Sequence, residues 1–134
     1  MVSIEIEYRG GLRCEAVHGP SGARLLTDAP VDNHGKGEAF SPTDLAATAM
    51  GTCMLTVMGI VADRHGIDII HARAVVEKEM SADPRRIASL TVTMHLPAAL
   101  SPEDRERLES AAVQCPVCKS LSPDVKRVIS FSYE

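Results

Sequence analysis

Basic clusters, a secretory apolar run, internal repeats and low-complexity linkers are all missing from this sequence. The formal net charge is −4, from 14 Lys and Arg against 18 Asp and Glu with no run of basic residues, so nucleic acid is not an expected partner. The opening residues MVSIEIEYRG alternate charged and apolar side chains and hold no apolar h-region. No signal peptide is therefore expected, and the expected compartment is the cytoplasm. In that setting the four cysteines, Cys14, Cys53, Cys115 and Cys118, are not expected to form a permanent disulfide framework. Tryptophan is absent, and no Trp or Tyr flanks the one long uncharged segment, Leu45–Ala62. That segment is 18 residues long, the lower edge for a membrane span, but it carries Thr48, Gly51, Thr52, Thr56 and Gly59 and few large apolar side chains. It reads as a buried helix of a soluble protein, with no membrane partner.

What is present is organised around Phe40–His65. Ser41-Pro42-Thr43-Asp44 is a helix start: Ser41 as N-cap, Pro42 at N1 where no N–H is missed, and Asp44 at N3 closing a capping box. Gly66 supplies the stop. A helix apolar on every side has to be covered, and its only ionisable group between Leu45 and Ala62 is the Cys53 thiol.

The flanking segments alternate with a period of two. Val2–Tyr8 puts Val2, Ile4, Ile6 and Tyr8 on one strand face. Leu12–Val17 and Ala23–Thr27 read as the second and third strands, separated by Gly19-Pro20-Ser21-Gly22, and a polar loop, Asp32–Glu38, leads to the helix. After Gly66, Ile67–Met80 and Ile87–Leu96 form a hairpin about Asp83-Pro84-Arg85-Arg86. Ser101-Pro102-Glu103-Asp104 opens an amphipathic helix to about Val113, with Leu108, Ala111 and Ala112 inward. Cys115–Leu121 is a further short helix and Val125–Tyr133 a last strand. The 134 residues suit one domain of α+β class, an antiparallel sheet of about six strands around a long buried central helix. One sheet covers one side of that helix. The other side calls for a second sheet or a second copy of the chain, and the expectation is an obligate homodimer whose helices approach over Ala46, Ala47, Ala49 and Gly51.

The thiols divide by setting. Cys14 shares a strand face with Leu12 and Ala16 and reads as a small core hydrophobe. Cys53 lies mid-helix, where the helix dipole does little for it, so only a cation from elsewhere makes it a thiolate. Cys115-Pro116-Val117-Cys118 places Cys115 at a helix start, which favours its thiolate. C-x-x-C is also the spacing of redox dithiols and of half a zinc site, but His65, His71, His95 and Cys53 offer no second ligand pair at finger spacing.

Ser41-Pro42-Thr43-Asp44-Leu45 running to Gly51-Thr52-Cys53-Met54, followed some sixty residues on by Cys115-Pro116-Val117-Cys118-Lys119-Ser120-Leu121, resembles the OsmC/Ohr family. Gly19-Pro20-Ser21-Gly22 through Gly35-Lys36-Gly37 is similar to its OsmC-like branch. The resemblance implies an OsmC-like fold in an intertwined homodimer, and thiol-dependent reduction of organic hydroperoxides without metal or organic cofactor. It makes Cys53 the peroxidatic and Cys115 the resolving cysteine, with an external dithiol as reductant. It also implies an arginine from the N-terminal β region that activates Cys53, for which Arg13 is preferred over Arg9.

Two positions depart from the family pattern. The family's helix-start glutamate is Thr43 here. The neighbouring Asp44 lies nine residues before Cys53, a half turn away on the helix, and is assigned to capping alone. Cys118 stands where family members often carry histidine, which opens a competing Cys115–Cys118 disulfide. An alternative reading is therefore a redox-sensing or ligand-binding protein on the same fold with little turnover. A third is a disulfide oxidoreductase using Cys115 and Cys118.

Overall fold

In the computed structural model, which describes all 134 residues, the chain forms two units, Met1–Ala46 and Ala47–Glu134. The first holds β1 (Ile4–Gly10), β2 (Arg13–His18) and β3 (Arg24–Asp28) in one antiparallel sheet of order β1-β2-β3. The β1 face carrying Ile4, Ile6 and Tyr8 was expected to be half-buried. Within the chain it is open, with these side chains 57–66% exposed.

Helix α1 (Pro42–His65) starts and stops where its sequence signals stand. The Asp44 N–H donates to Ser41 Oγ at 3.1 Å and the Ser41 N–H to Asp44 Oδ2 at 2.9 Å, a closed capping box. At the other end Gly66 takes φ +65° and the Ile67 N–H reaches back to the Ala62 carbonyl at 2.9 Å, which satisfies one of the last orphan carbonyls.

In the second unit α1 lies against β4 (Arg73–Ser81), β5 (Arg86–Leu96) and β6 (Lys126–Tyr133), a sheet of order β4-β5-β6. The alternation Leu90, Val92, Met94, Leu96 on β5 is 0–1% exposed, and it meets a stripe of Met50, Met54, Met58 and Ala62 on α1. Helix α2 (Pro102–Ala112) closes the same core with Leu108 and Ala112, and α3 (Pro116–Ser120) follows it. By length and composition alone α1 could cross a membrane, and its methionine stripe is part of this core.

Four features differ from the sequence expectation. The six strands stand in two sheets of three. β6 runs parallel to β5, because α2 and α3 form a helical crossover that returns the chain to the end where β5 began. Gly51 faces β4 rather than a second helix: a Cβ there would stand 2.9 Å from Val76 Cγ2 and 3.7 Å from Ala74 Cβ. α1 is also buried along one stripe only. Ile60 on another face is 48% exposed, and Thr52 and Thr56 fold their hydroxyls back onto the Thr48 and Thr52 carbonyls at 2.9 and 2.8 Å.

Candidate active site

Three of the four thiols belong to the core of the second unit. Cys53 is on α1, one residue before Met54 of the buried stripe, and is half-buried against the core. Cys115 caps α3 and is fully buried, and Cys118 within α3 is 6% exposed. The sulfurs of Cys115 and Cys118 are 2.6 Å apart, and the Cys118 N–H donates to Cys115 Sγ at 3.2 Å. Cys53 packs against the same buried core cluster that contains Cys115 and Cys118. All four cysteines are free thiols.

The turn bearing the pair is held at several points. The Lys119 N–H donates to the Cys115 carbonyl at 3.2 Å, the Leu121 N–H to the Val117 carbonyl at 3.2 Å, and Ser120 Oγ to the Pro116 carbonyl at 2.8 Å. From β6, Arg127 donates its guanidinium N–H to the Cys118 carbonyl. Val117 and Leu121 seat the turn in the core.

The helix-start position was expected to make Cys115 the more acidic thiol. The structure acts against this. α3 is five residues long, and burial pushes the Cys115 pKa up, helped by the neighbouring Cys118 thiol. The Cys118 N–H and the Cys53 thiol act in the opposite sense without overcoming it. Desolvation of the charged form outweighs one backbone hydrogen bond.

Cys14 is half-buried on β2, in the first unit, and its N–H donates to Thr27 Oγ1 at 3.3 Å. The candidate arginines stand in the same unit, and both are ion-paired. Arg9 bonds Glu15 at 2.9 Å. Arg13 bonds Glu38 at 2.8 Å and the buried Asp28 at 3.3 Å. Sequence reasoning sought the acidic partner at the helix start and missed both carboxylates. The hairpin register contains the signal, since Arg13 and Asp28 are directly paired across β2 and β3. Glu38 depends on a tight loop: a Cβ on Gly35 would lie 1.7 Å from the Ala29 carbonyl oxygen, so no other residue fits there.

Asp28 is held below its usual carboxylate range by the Glu38 backbone N–H first and by Arg13 next, against the opposing effect of burial. A folded pKa below the unfolded one adds stability at pH above the unfolded value. That stability is lost as pH falls through the folded value. Asp28→Asn is therefore expected to lower the urea midpoint at pH 7, with the gap from the parent closing as pH drops below about 4. A gap independent of pH would show that packing, not charge, sets the effect.

No group of three or more His, Cys, Asp or Glu side chains is arranged to hold a metal ion. His95 is bonded to Glu134, in a setting of its own.

Residues 35–129 match the family model described as OsmC-like protein. Among solved structures, a crystal structure from Psychrobacter arcticus 273-4 is 42% identical, with a TM-score of 0.94 over 98% of this chain and 96% of that one. Its description, an osmotic stress induced and detoxification response protein, is itself provisional. A Legionella pneumophila structure described as an organic hydroperoxide resistance protein OsmC is 20% identical, with a TM-score of 0.78 over 98% of this chain and 96% of that one. An organic hydroperoxide resistance protein from Elizabethkingia anophelis shares 13% identity, with a TM-score of 0.77 over 100% of this chain and 96% of that one. These last two likenesses speak to the fold alone. Among curated proteins none matches the chain.

Proposed function

Since the chain belongs to the OsmC/Ohr family, we propose that it is a thiol-dependent peroxidase for organic hydroperoxides, with Cys53 as peroxidatic and Cys115 as resolving cysteine. The observation that carries this reading is that Cys53 packs against the buried core cluster that contains Cys115, although the two lie far apart in sequence. In the first step the Cys53 thiolate attacks the distal peroxide oxygen. The O–O bond breaks, the alkoxide leaves and is protonated to the alcohol, and Cys53 becomes a sulfenic acid. The Cys115 sulfur then attacks the Cys53 sulfur. An S–S bond forms, the S–O bond breaks, and the departing hydroxide takes the Cys115 proton as water. An external dithiol reduces the disulfide.

The raised pKa of Cys115 suits this division of labour. A buried neutral thiol is a poor target for peroxide. It enters the reaction when a sulfenic acid forms beside it, and the leaving hydroxide accepts its proton. The family resemblance implies an arginine from the N-terminal strands that activates Cys53, and we assign that role to Arg13, which ion-pairs with Glu38 and Asp28. The open apolar row of Ile4, Ile6 and Tyr8 and the exposed Ile60 support a homodimer, in which a second copy covers surface that the single chain leaves in water. A monodisperse monomer in sedimentation at low concentration would remove the dimer.

The peroxidase reading is tested in a Cys115→Ser protein, which lacks the thiol proposed to condense with the Cys53 sulfenic acid. One equivalent of cumene hydroperoxide is expected to yield one equivalent of alcohol and a sulfenic acid that dimedone tags at Cys53. Slow uptake at the rate of an ordinary thiol, equal for hydrogen peroxide and bulky hydroperoxides, would replace this reading with that of a redox sensor.

A further inference from the structure

The two-cysteine scheme leaves Cys118 without a task, yet its sulfur is 2.6 Å from that of Cys115, in the same core cluster against which Cys53 packs. We propose that Cys118 is a second resolving thiol, which takes over the Cys53–Cys115 disulfide as a Cys115–Cys118 disulfide and frees Cys53 for another hydroperoxide. This rests on the peroxidase reading.

The step is a thiol–disulfide exchange and needs no added oxidant. The Cys118 sulfur attacks the Cys115 sulfur, the Cys115–Cys118 bond forms, and the Cys53–Cys115 bond breaks. Cys53 leaves as thiolate, and the Cys118 proton goes to solvent or to Cys53. One disulfide is present before and after, so electrons balance. The final dithiol reductant then meets a Cys115–Cys118 disulfide instead of one that ties α1 to α3.

Geometry favours the forward direction. The product joins two sulfurs that a single hydrogen-bonded turn already holds side by side, with Arg127 fastening the Cys118 carbonyl. The starting disulfide instead ties that turn to a separate helix, α1. The arrangement also separates tasks by exposure. The half-buried Cys53 is the thiol that hydroperoxide can reach, while the two buried sulfurs hold the oxidising equivalents afterwards. If Cys118 were only a small buried hydrophobe, its loss would alter stability but not the stoichiometry of peroxide uptake.

The readout is therefore stoichiometry. Fully reduced protein is titrated with cumene hydroperoxide without reductant, quenched in acid, alkylated and mapped by peptide mass. The parent is expected to take up about two equivalents per chain, ending as a Cys115–Cys118 disulfide with a dimedone-reactive sulfenic acid on Cys53. Cys118→Ala is expected to stop at about one equivalent with a Cys53–Cys115 disulfide. After one equivalent, Cys53 should be alkylatable in the parent and blocked in the variant. A parent that stops at one equivalent with Cys53–Cys115 intact and Cys118 free overturns the relay and leaves the peroxidase reading standing. Absence of uptake in both proteins overturns the peroxidase reading, and the relay with it. Should Cys118→Ala fail to fold, the parent's own disulfide map decides. Diamide oxidation of the parent adds an arm that needs no peroxide chemistry: Cys115–Cys118 is the expected product, and Cys53–Cys115 alone would overturn the exchange.

Discussion

Replacing Cys53 with serine is expected to cut hydroperoxide consumption by roughly a thousandfold or more, since a nucleophile's removal leaves only what binding and solvent can do. The other thiols are poor substitutes. Cys115 is buried and its pKa is pushed up, Cys118 is buried beside it, and Cys14 is on β2 in the first unit. The assay follows loss of cumene hydroperoxide under excess dithiothreitol, with circular dichroism to show that the variant is folded. Uptake by Cys53→Ser as fast as by the parent would end the mechanism. Arg13→Gln is expected to act differently. On the proposed assignment it keeps the nucleophile but removes the activating cation, so the pH profile of Cys53 alkylation should move to higher pH. An unmoved profile would reduce Arg13 to a structural partner of Asp28 and Glu38.

The second large effect concerns the core. Met54 is fully buried in the α1 stripe facing β5, and Met54→Ala is expected to cost about 2–5 kcal/mol in a denaturant titration, through lost transfer energy and the cavity left behind. Ile60→Ala, on a face of α1 that the chain leaves 48% exposed, serves as the control. Within one chain its cost should stay near 0.5 kcal/mol, about the level of a surface change. A larger loss for Ile60→Ala that grows as the protein is diluted would place this face in a contact between copies. Equal, dilution-independent losses for both variants would mean that the methionine stripe is not the seam on which α1 packs.

Elements governed by neighbours in sequence were legible without a structure. The Ser41–Asp44 capping box and the Gly66 stop bound α1 at Pro42 and His65, because caps are local hydrogen bonds. The alternation Leu90, Val92, Met94, Leu96 named the buried face of β5 because strand period is a backbone property. The Ser101 cap on α2 was legible for the same reason: its Oγ accepts the Asp104 N–H at 3.1 Å.

What depended on distance across the fold was not legible. Period-two alternation marked Ile4, Ile6 and Tyr8 as a burial face but could not say that the single chain leaves that face open. The parallel pairing of β5 with β6 follows from how α2 and α3 pack, not from any local pattern in β6. Arg13 was named from sequence, while Asp28 and Glu38 emerged from hairpin register and a loop closed over Gly35. The thiols show the same division. By itself the sequence determined which thiols to consider, through Cys53 in an uncharged helix and the Cys115-Pro116-Val117-Cys118 spacing. Tertiary structure decided their character: it buried Cys115 deeply enough to raise its pKa against the local cap, set it beside Cys118 and packed Cys53 against the same core. A cap is a short-range interaction that a few residues specify, whereas desolvation and contact sum over every element packed around the sulfur.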